Sequence, residues 1–204
     1  MNEQELSPPY MVVEVEGKGM GLVATRAMDL GYVLLKESPI FAYQPQETGP
    51  HNTETHVAQF IQEFKKLSDT EKAKVMSLCE VEGDTENDCK EILTSLVSQG
   101  ILASLSRTDE ALFIALMKKI TSNALGCEEG KTAVFETISM INHSCAPNVF
   151  WECKDHRTTM EMRACRRIEE GDEIVASYYN FEDFPLRQER QDIISNERSF
   201  HCRY

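Results

Sequence analysis

Long apolar runs, clusters of basic residues and closely paired cysteines are all missing from this 204-residue sequence. No run approaches the roughly 18 apolar residues that a membrane span needs, so we expect no contact with a membrane. The start, MNEQELSPPY, lacks the features of a signal peptide, which predicts an intracellular protein of the cytoplasm, the nucleus or both. Lys and Arg are scattered, and 34 acidic against 21 basic residues give a net charge of −13, which argues against direct binding of nucleic acid.

No two cysteines are spaced as C-x-x-C, so the sequence shows neither a redox dithiol nor a local zinc knuckle. The seven cysteines lie at positions 79, 89, 127, 145, 153, 165 and 202. With no secretory signal, we expect reduced thiols, most of them buried as small apolar groups.

Proline is absent between Pro50 and Pro147, and this interval has the periodicity of helices from about residue 55 to 125. One helix has a single apolar stripe, made of Val57, Phe60, Ile61 and Phe64. Ser68 and Glu71 predict a capping box that opens the next helix. A later helix is expected to bury the face that contains Leu112, Leu116 and Ile120.

Segments on both sides of this helical block indicate strands. MVVEVEG, LVATRAM and YVLLKESPIFAY precede it, and Pro39 is expected to interrupt the last of these or place it at a sheet edge. TTMEMRACRR follows the block and predicts inward Met and Ala with outward Thr, Glu and Arg. IVASYYNF predicts a strand that Tyr178 and Tyr179 end. We therefore predict an α+β fold whose β-rich domain is split by a helical insertion.

The glycine-rich stretch at residues 17–21, GKGMG, lies between two predicted strands. Its glycine spacing and the absence of a following helix argue against a dinucleotide fingerprint, and a phosphate loop would need a G-K-[S/T] ending. Taken alone, a simple hairpin turn is the favoured interpretation, and close approach to a ligand is the alternative.

The segment INHSCAPN, residues 141–148, leaves several interpretations open. A nucleophilic Cys145 would need His143 as its base, but we expect these side chains to point to opposite faces of an extended segment. A nucleophilic Ser144 would need a G-x-S-x-G elbow, which is absent. His143 and Cys145 alone supply only two metal ligands, and a buried histidine beside a core cysteine is an equally good interpretation. Tyr178 and Tyr179 are either core aromatics or hydrogen-bond partners for a reacting amine.

Taken in order, these motifs resemble the SET-domain protein lysine methyltransferases. NHSCAPN is similar to the N-H-S-C-x-P-N segment of that family, and EEGDEIVASY to its E-x-G-E/D-E-[I/L]-x-x-x-Y segment. GLVATRAMDLGYVLLKESPI resembles the opening strands. The resemblance covers residues 11–43 and 120–202 and is greatest for the SMYD-like branch, whose SET domain is split by inserted sequence.

The resemblance implies a β-rich SET fold with small sheets, and S-adenosyl-L-methionine as the cofactor. It also implies that 142–148 threads beneath the tyrosine segment in a knot-like crossing, fixed by Pro147 and Asn148. The residues implied to contact the cofactor are Lys18, Gly19, Met20, Gly21, Asn123, Asn142, His143 and Phe200. Phe200 corresponds to a tail aromatic that stacks on the adenine.

Tyr178 matches the catalytic tyrosine of the family. The implied reaction transfers a methyl group from the sulfonium of the cofactor to a neutral lysine amine of a histone or other protein. Because a free lysine has a pKa of about 10.4, the site must favour its neutral form. Tyr178 would orient the amine rather than act as a full base, and Tyr179 is expected to be structural. The alternative function is a catalytically weak or inactive SET-fold interaction module.

Two features depart from the family pattern and predict that no metal is bound. The insertion contains only Cys79 and Cys89, so the MYND zinc module is absent. A post-SET zinc site would combine Cys145 with three tail cysteines, but Tyr204 follows Cys202 where the second is expected.

These features divide the chain into four parts. Residues 1–50 and 126–186 are predicted to form the two parts of the SET domain, residues 51–125 the helical insertion, and residues 187–204 a truncated post-SET-like tail.

Overall fold

A computed structural model describes residues 7–44, 53–80, 85–127, 130–154, 158–179, 183–198 and 200–202 of the chain. The predicted strand positions Asn180 and Phe181, and the tail position Tyr204, lie outside these residues. No helix in the described part of the chain is long and apolar enough to cross a membrane.

The described elements alternate from strands to helices and back to strands, as the sequence patterns predicted. Four strands come first: β1 (Tyr10–Val15), β2 (Gly19–Ala24), β3 (Val33–Glu37) and β4 (Phe41–Tyr43). Four helices follow: α1 (Thr53–Lys66), α2 (Asp69–Ser77), α3 (Glu86–Ser98) and α4 (Arg107–Asn123). The chain then forms β5 (Ala124–Gly126), β6 (Thr132–Val134), a short 3-10 helix (Ile138–Met140), β7 (Asn142–His143), β8 (Val149–Lys154), β9 (Thr159–Ala164), β10 (Glu173–Ala176) and α5 (Arg187–Arg198).

The chain forms two compact units. The discontinuous unit comprises residues 1–37, 140–155 and 159–204, and the helical unit comprises residues 38–139 and 156–158. Pro39 lies where YVLLKESPIFAY is interrupted, because β3 ends at Glu37 and β4 begins at Phe41. The four-part division drawn from the sequence stays a prediction.

The helical unit buries the apolar stripe predicted for α1. Val57, Phe60, Ile61 and Phe64 are all buried in its core, and burying such a side chain contributes about 1.5–3 kcal/mol. The capping box predicted at the start of α2 is confirmed, because the Ser68 side chain accepts from the Glu71 amide and Glu71 accepts from the Ser68 amide.

The prediction for α4 is wrong at one position. Leu116 and Ile120 are buried, but Leu112 is 36% exposed, and the buried face turns toward Phe113 and Met117 instead. The i, i+4, i+8 spacing defines a stripe that is narrower than the face that the helix buries, so one edge of that face was misplaced.

The discontinuous unit contains two sheets, and each combines strands that precede the helical unit in sequence with strands that follow it. The first has the order β1-β2-β10-β7, with β10 antiparallel to β2 and parallel to β7. The second has the order β3-β9-β8. β4, β6 and β5 form a third sheet in the helical unit.

Two strand predictions need correction. Glu161 was expected to point outward from β9, but it is only 2% exposed, because Lys36 and Arg163 both form ion pairs with it. The strand predicted over IVASYYNF ends at Ala176, so Tyr178 and Tyr179 follow β10 in a bend rather than ending the strand.

Candidate active site

The glycine-rich segment forms the turn between β1 and β2 and continues as the first residues of β2. Gly17 and Gly19 have φ angles of 71° and 75°, which side-chain-bearing residues rarely adopt. Gly21 has a different role, because a Cβ there would lie 2.7 Å from Asn142 Nδ2 and 2.7 Å from Val15 Cγ2. Gly21 therefore permits the close approach of β7 to β2.

Asn142 joins the glycine-rich segment to β10. Its side-chain Nδ2 donates to the carbonyl oxygen of Met20 at 3.3 Å and to Glu173 Oε1 at 3.0 Å. Lys18 Nζ reaches the other carboxylate oxygen of Glu173 at 2.5 Å. The structure thus brings Lys18, Met20, Gly21 and Asn142 together around a carboxylate to which the sequence reasoning gave no role. The sequence signal that could have identified Glu173 is its position inside the EEGDEI segment, which is similar to a family motif.

His143 is buried and lies at the centre of an aromatic cluster. Its ring centroid lies 5.2 Å from that of Tyr178, 6.1 Å from that of Tyr179 and 5.9 Å from that of Phe200. His143 Nδ1 accepts a hydrogen bond from the Tyr178 backbone amide at 3.0 Å. A neutral ring with Nδ1 as acceptor carries its proton on Nε2.

Tyr178 is fixed at both its backbone and its hydroxyl group. The hydroxyl donates to the carbonyl oxygen of Ile141 at 2.7 Å, and the backbone amide is held by His143. The proton of the phenol is directed at Ile141, and a phenol oxygen that donates in this way can also act as an acceptor. The residue carrying this carbonyl immediately precedes Asn142, so the tyrosine and the predicted cofactor residues share one local framework.

Asn148 forms hydrogen bonds that connect the end of the INHSCAPN segment to β10. Its side-chain Nδ2 donates to the Glu173 carbonyl at 2.8 Å, and its Oδ1 accepts from the Val175 amide at 2.8 Å. Its backbone amide donates to the Val175 carbonyl at 3.0 Å. The side chain is buried, so these bonds are made away from water, which favours a fixed crossing of the two segments.

Cys145 meets the C-terminal tail at Cys202. The Cys145 amide lies 3.3 Å from Cys202 Sγ, and the ligand-type atoms of His143, Cys145 and Cys202 all lie within 4.8 Å of one another. Burial, together with the neighbouring Cys202 thiol, raises the pKa of the Cys145 thiol.

The expectation that His143 and Cys145 point to opposite faces is wrong. His143 Nε2 lies 3.3 Å from Cys145 Sγ, because residues two apart in an extended segment lie on the same side. A nucleophilic pair still does not follow, since Nε2 of the neutral ring carries the proton and has no lone pair to accept one from the thiol. The raised pKa of Cys145 also disfavours a thiolate.

The same geometry bears on the zinc site of the family. A histidine whose Nδ1 accepts an amide proton and whose Nε2 is protonated has no lone pair for a metal. Cys145 and Cys202 then remain as two sulfur ligands in the described part of the chain, and a structural zinc site needs four. These residues do not fit a resident zinc ion.

Asn123, also predicted to contact the cofactor, belongs to the helical unit. Its side-chain Nδ2 donates to the Cys79 carbonyl at 2.6 Å and to the Lys119 carbonyl at 2.7 Å, and the residue is buried. Its amide hydrogens therefore hold the chain after α2, and a role toward a cofactor stays a prediction.

A groove of about 780 Å³ runs along α5 and the tail. Polar side chains of α5, together with His201 and Cys202, line it, but none of the predicted cofactor residues does. The described cavity volume therefore gives no independent support for the cofactor site, which rests on the contacts above.

Comparison with known proteins agrees with this arrangement. The model of the SET domain family matches residues 19–179, which extend from the first residue of β2 to the tyrosine pair. The chain belongs to the SET-domain family.

Among curated proteins, the chain is 28% identical over 125 residues to the N-lysine methyltransferase SMYD2-A of Xenopus laevis, covering 57% of this chain and 28% of that protein. It is 24% identical over 198 residues to the histone-lysine N-methyltransferase set5 of Schizosaccharomyces pombe, covering 95% of this chain and 48% of that protein. The chain thus spans less than half the length of either relative.

Among solved structures, the SET domain of LSMT bound to lysine and AdoHcy matches with a TM-score of 0.64 and 15% identity. The match covers 95% of this chain and 52% of that one. At this identity the likeness concerns the fold, and it confirms the predicted α+β SET fold.

Proposed function

We propose that this chain is an S-adenosyl-L-methionine-dependent protein-lysine N-methyltransferase of the SMYD-like branch, without the MYND zinc module. The observation that carries the proposal is the fixed Tyr178 hydroxyl, which is bonded to the residue preceding Asn142 and His143. Both curated relatives described above have names that denote lysine methylation. The substrate is a lysine side chain of a histone or other protein, met in the cytoplasm, the nucleus or both.

The described residues offer the cofactor a close backbone approach, aromatic side chains and hydrogen-bonding groups. Because Gly21 has no Cβ, Asn142 Nδ2 lies close to its backbone, and a glycine at this point also lets the backbone approach a ligand closely. Phe200 and His143, two residues that the family pattern puts at the cofactor, lie together with their ring centroids 5.9 Å apart. Lys18, Gly19 and Met20 would contribute mainly backbone groups.

When bound, the cofactor supplies a methyl group activated by a positively charged sulfur. The protein must align the lysine nitrogen with that methyl group, because alignment is the largest contribution available to such a displacement. Tyr178 serves this purpose with its oxygen, which is held in place by the bond to Ile141 and can accept from the amine. A neutral phenol that donates to a carbonyl is not a base, so the lysine must lose its proton by other means.

Loss of the Tyr178 hydroxyl tests the catalytic assignment. We expect Tyr178→Phe to lower kcat by about 10²-fold or more, while the dissociation constant for S-adenosylhomocysteine changes less than about 3-fold. Tyr179→Phe is the matched control, because it removes a hydroxyl from the next residue and should leave the rate unchanged. Transfer of labelled methyl groups to a peptide and proteome panel measures the rate, and calorimetry measures binding.

The outcomes separate the two candidate functions. Methyl transfer that survives in Tyr178→Phe at the wild-type rate would show that the catalytic assignment is wrong. A wild-type chain that binds S-adenosylhomocysteine but methylates nothing in the panel would favour the interaction module. A wild-type chain that does not bind S-adenosylhomocysteine would contradict the proposal itself.

A further inference from the structure

Glu173 is the one carboxylate that contacts both Asn142 and the Lys18 turn in the described contacts. Oε1 accepts from Asn142 Nδ2 at 3.0 Å, and Oε2 contacts Lys18 Nζ at 2.5 Å. Its side chain is 23% exposed, so it lies largely within the sheet surface rather than free in water. The first residue of β10 thus connects two neighbouring segments of the predicted cofactor site.

The contacts with Glu173 and with the Met20 carbonyl determine which way the Asn142 amide faces. An ionised carboxylate only accepts hydrogen bonds, and the Met20 carbonyl also only accepts, so both must meet the NH₂ end of the amide. Both amide hydrogens are then used. Oδ1 is left at the opposite end, and within the described residues it accepts no hydrogen bond.

The bond between Glu173 and Lys18 acts on the turn. Gly17 and Gly19 flank Lys18 with left-handed backbone, and the Lys18 amide donates to the Val15 carbonyl at 3.0 Å. Because Lys18 is 43% exposed, the ion pair adds little to the free energy of unfolding. Its effect is local and restricts where the turn lies beside Asn142.

We propose that Glu173 is a positioning residue for cofactor binding. It orients the Asn142 amide so that Oδ1 presents an acceptor to the α-ammonium group of an amino-acid-type methyl donor, and it steadies the Lys18 turn. The inference rests on the proposed function. Without Glu173 only the 3.3 Å contact with the Met20 carbonyl opposes a rotation of the amide by 180°, which would present an NH₂ group to that ammonium and would repel it.

Three substitutions at position 173 separate hydrogen-bond reach from charge. Glu173→Gln keeps the reach of an acceptor oxygen and loses the charge, and Glu173→Asp keeps the charge but withdraws it by one methylene group. Glu173→Ala removes both. Calorimetry with S-adenosylhomocysteine should show affinity within about 3-fold of wild type for Gln, and at least about 10-fold weaker for Asp and Ala. Glu169→Ala, an exposed carboxylate in the preceding turn, is the matched control and should bind as wild type does.

A second readout does not depend on the cofactor. The side-chain NH₂ signals of Asn142 in the unliganded protein should exchange slowly with water in wild type and Glu173→Gln. They should exchange faster in Glu173→Asp and Glu173→Ala. Thermal unfolding of each variant shows whether it folds, and if Glu173→Ala does not, Glu173→Asp still distinguishes reach from charge.

The proposal is overturned if Glu173→Asp binds more tightly than Glu173→Gln, since charge rather than amide orientation would then matter. It is also overturned if all three variants show wild-type exchange of the Asn142 amide. If wild type fails to bind S-adenosylhomocysteine, the methyltransferase function is contradicted, while the exchange measurement still decides whether Glu173 orients Asn142.

Discussion

Replacement of Gly21 by alanine tests the close approach of Asn142 to β2. The added Cβ would lie 2.7 Å from Asn142 Nδ2 and 2.7 Å from Val15 Cγ2, whereas ordinary contacts of this kind begin at 3.4 Å. One or both side chains must therefore move by about 0.7 Å, from 2.7 to 3.4 Å. Asn142 is held by the Met20 carbonyl and by Glu173, so its displacement strains two hydrogen bonds.

The expected cost follows from overpacking. An extra methyl group in a packed site costs about 1–3 kcal/mol, which in a chain of this size lowers the melting temperature by roughly 2–12 °C. The backbone at Gly21 is not left-handed, so strain in φ adds nothing to this figure. Displacement of Asn142 should also weaken binding of S-adenosylhomocysteine by about 10-fold, which corresponds to about 1.4 kcal/mol.

Gly126→Ala is the matched control. Gly126 is the last residue of β5 and, like Gly21, has no positive φ, but a Cβ there meets nothing within 4 Å. Its substitution should leave affinity unchanged and stabilise the chain by about 0.4–1 kcal/mol, through the smaller conformational entropy of the unfolded state. Differential scanning fluorimetry and calorimetry measure both quantities. A Gly21→Ala protein with the melting temperature and affinity of wild type would refute the reasoning.

Three further substitutions test the framework around the site. Asn148→Ala leaves a buried amide and a buried carbonyl of β10 without their partners, so urea denaturation should show a loss of about 2–6 kcal/mol; a loss below 1 kcal/mol would contradict the described bonds. The Lys36 hydrogen bond, opposed by desolvation, lowers the pKa of Glu161 in the folded chain. The resulting stability is present above the unfolded pKa of about 4.3 and is lost as the pH falls through the lower folded value. Glu161→Gln should therefore flatten the acid side of a plot of urea midpoint against pH, and an unchanged slope would count against it. Ser106→Ala removes the oxygen that accepts from the Asp109 amide at the start of α4 and should cost about 1 kcal/mol in the same assay, whereas no change would show that the cap is redundant.

The parts of the fold that the sequence predicted well depend on local pattern. The α1 stripe through Ile61 and the Ser68–Glu71 cap depend on residues three and four positions apart. Helix geometry alone makes such residues neighbours. The NHSC segment and Tyr178 were found through a resemblance whose motifs lie inside the matched range of the family. Both kinds of signal are readable without knowing the tertiary structure.

The parts that the sequence did not predict depend on partners distant in the chain. Glu161 looks like an outward strand residue until Lys36, 125 positions earlier, covers it from the neighbouring strand. Glu173 gains its contacts from Lys18 and Asn142, which no periodicity relates to it. The proximity of His143 and Cys145 is a different case, because the period-two geometry of a strand predicts it and the expectation misapplied that rule.

The pairing of β2 with β10 has a consequence for the order in which the chain matures. Val23 pairs with Glu173, which is synthesised 150 positions later, so β2 lacks its second neighbour until then. The helical unit is almost continuous in sequence, from residue 38 to 139, and its core needs few residues beyond that range. Contacts close in sequence form fastest, and domains fold as they emerge from the ribosome. We therefore expect the helical unit to fold while β2 is paired with β1 only and β10 has not yet been synthesised. On the ribosome, the site that holds Asn142 beside Gly21 is then among the last parts of this protein to form.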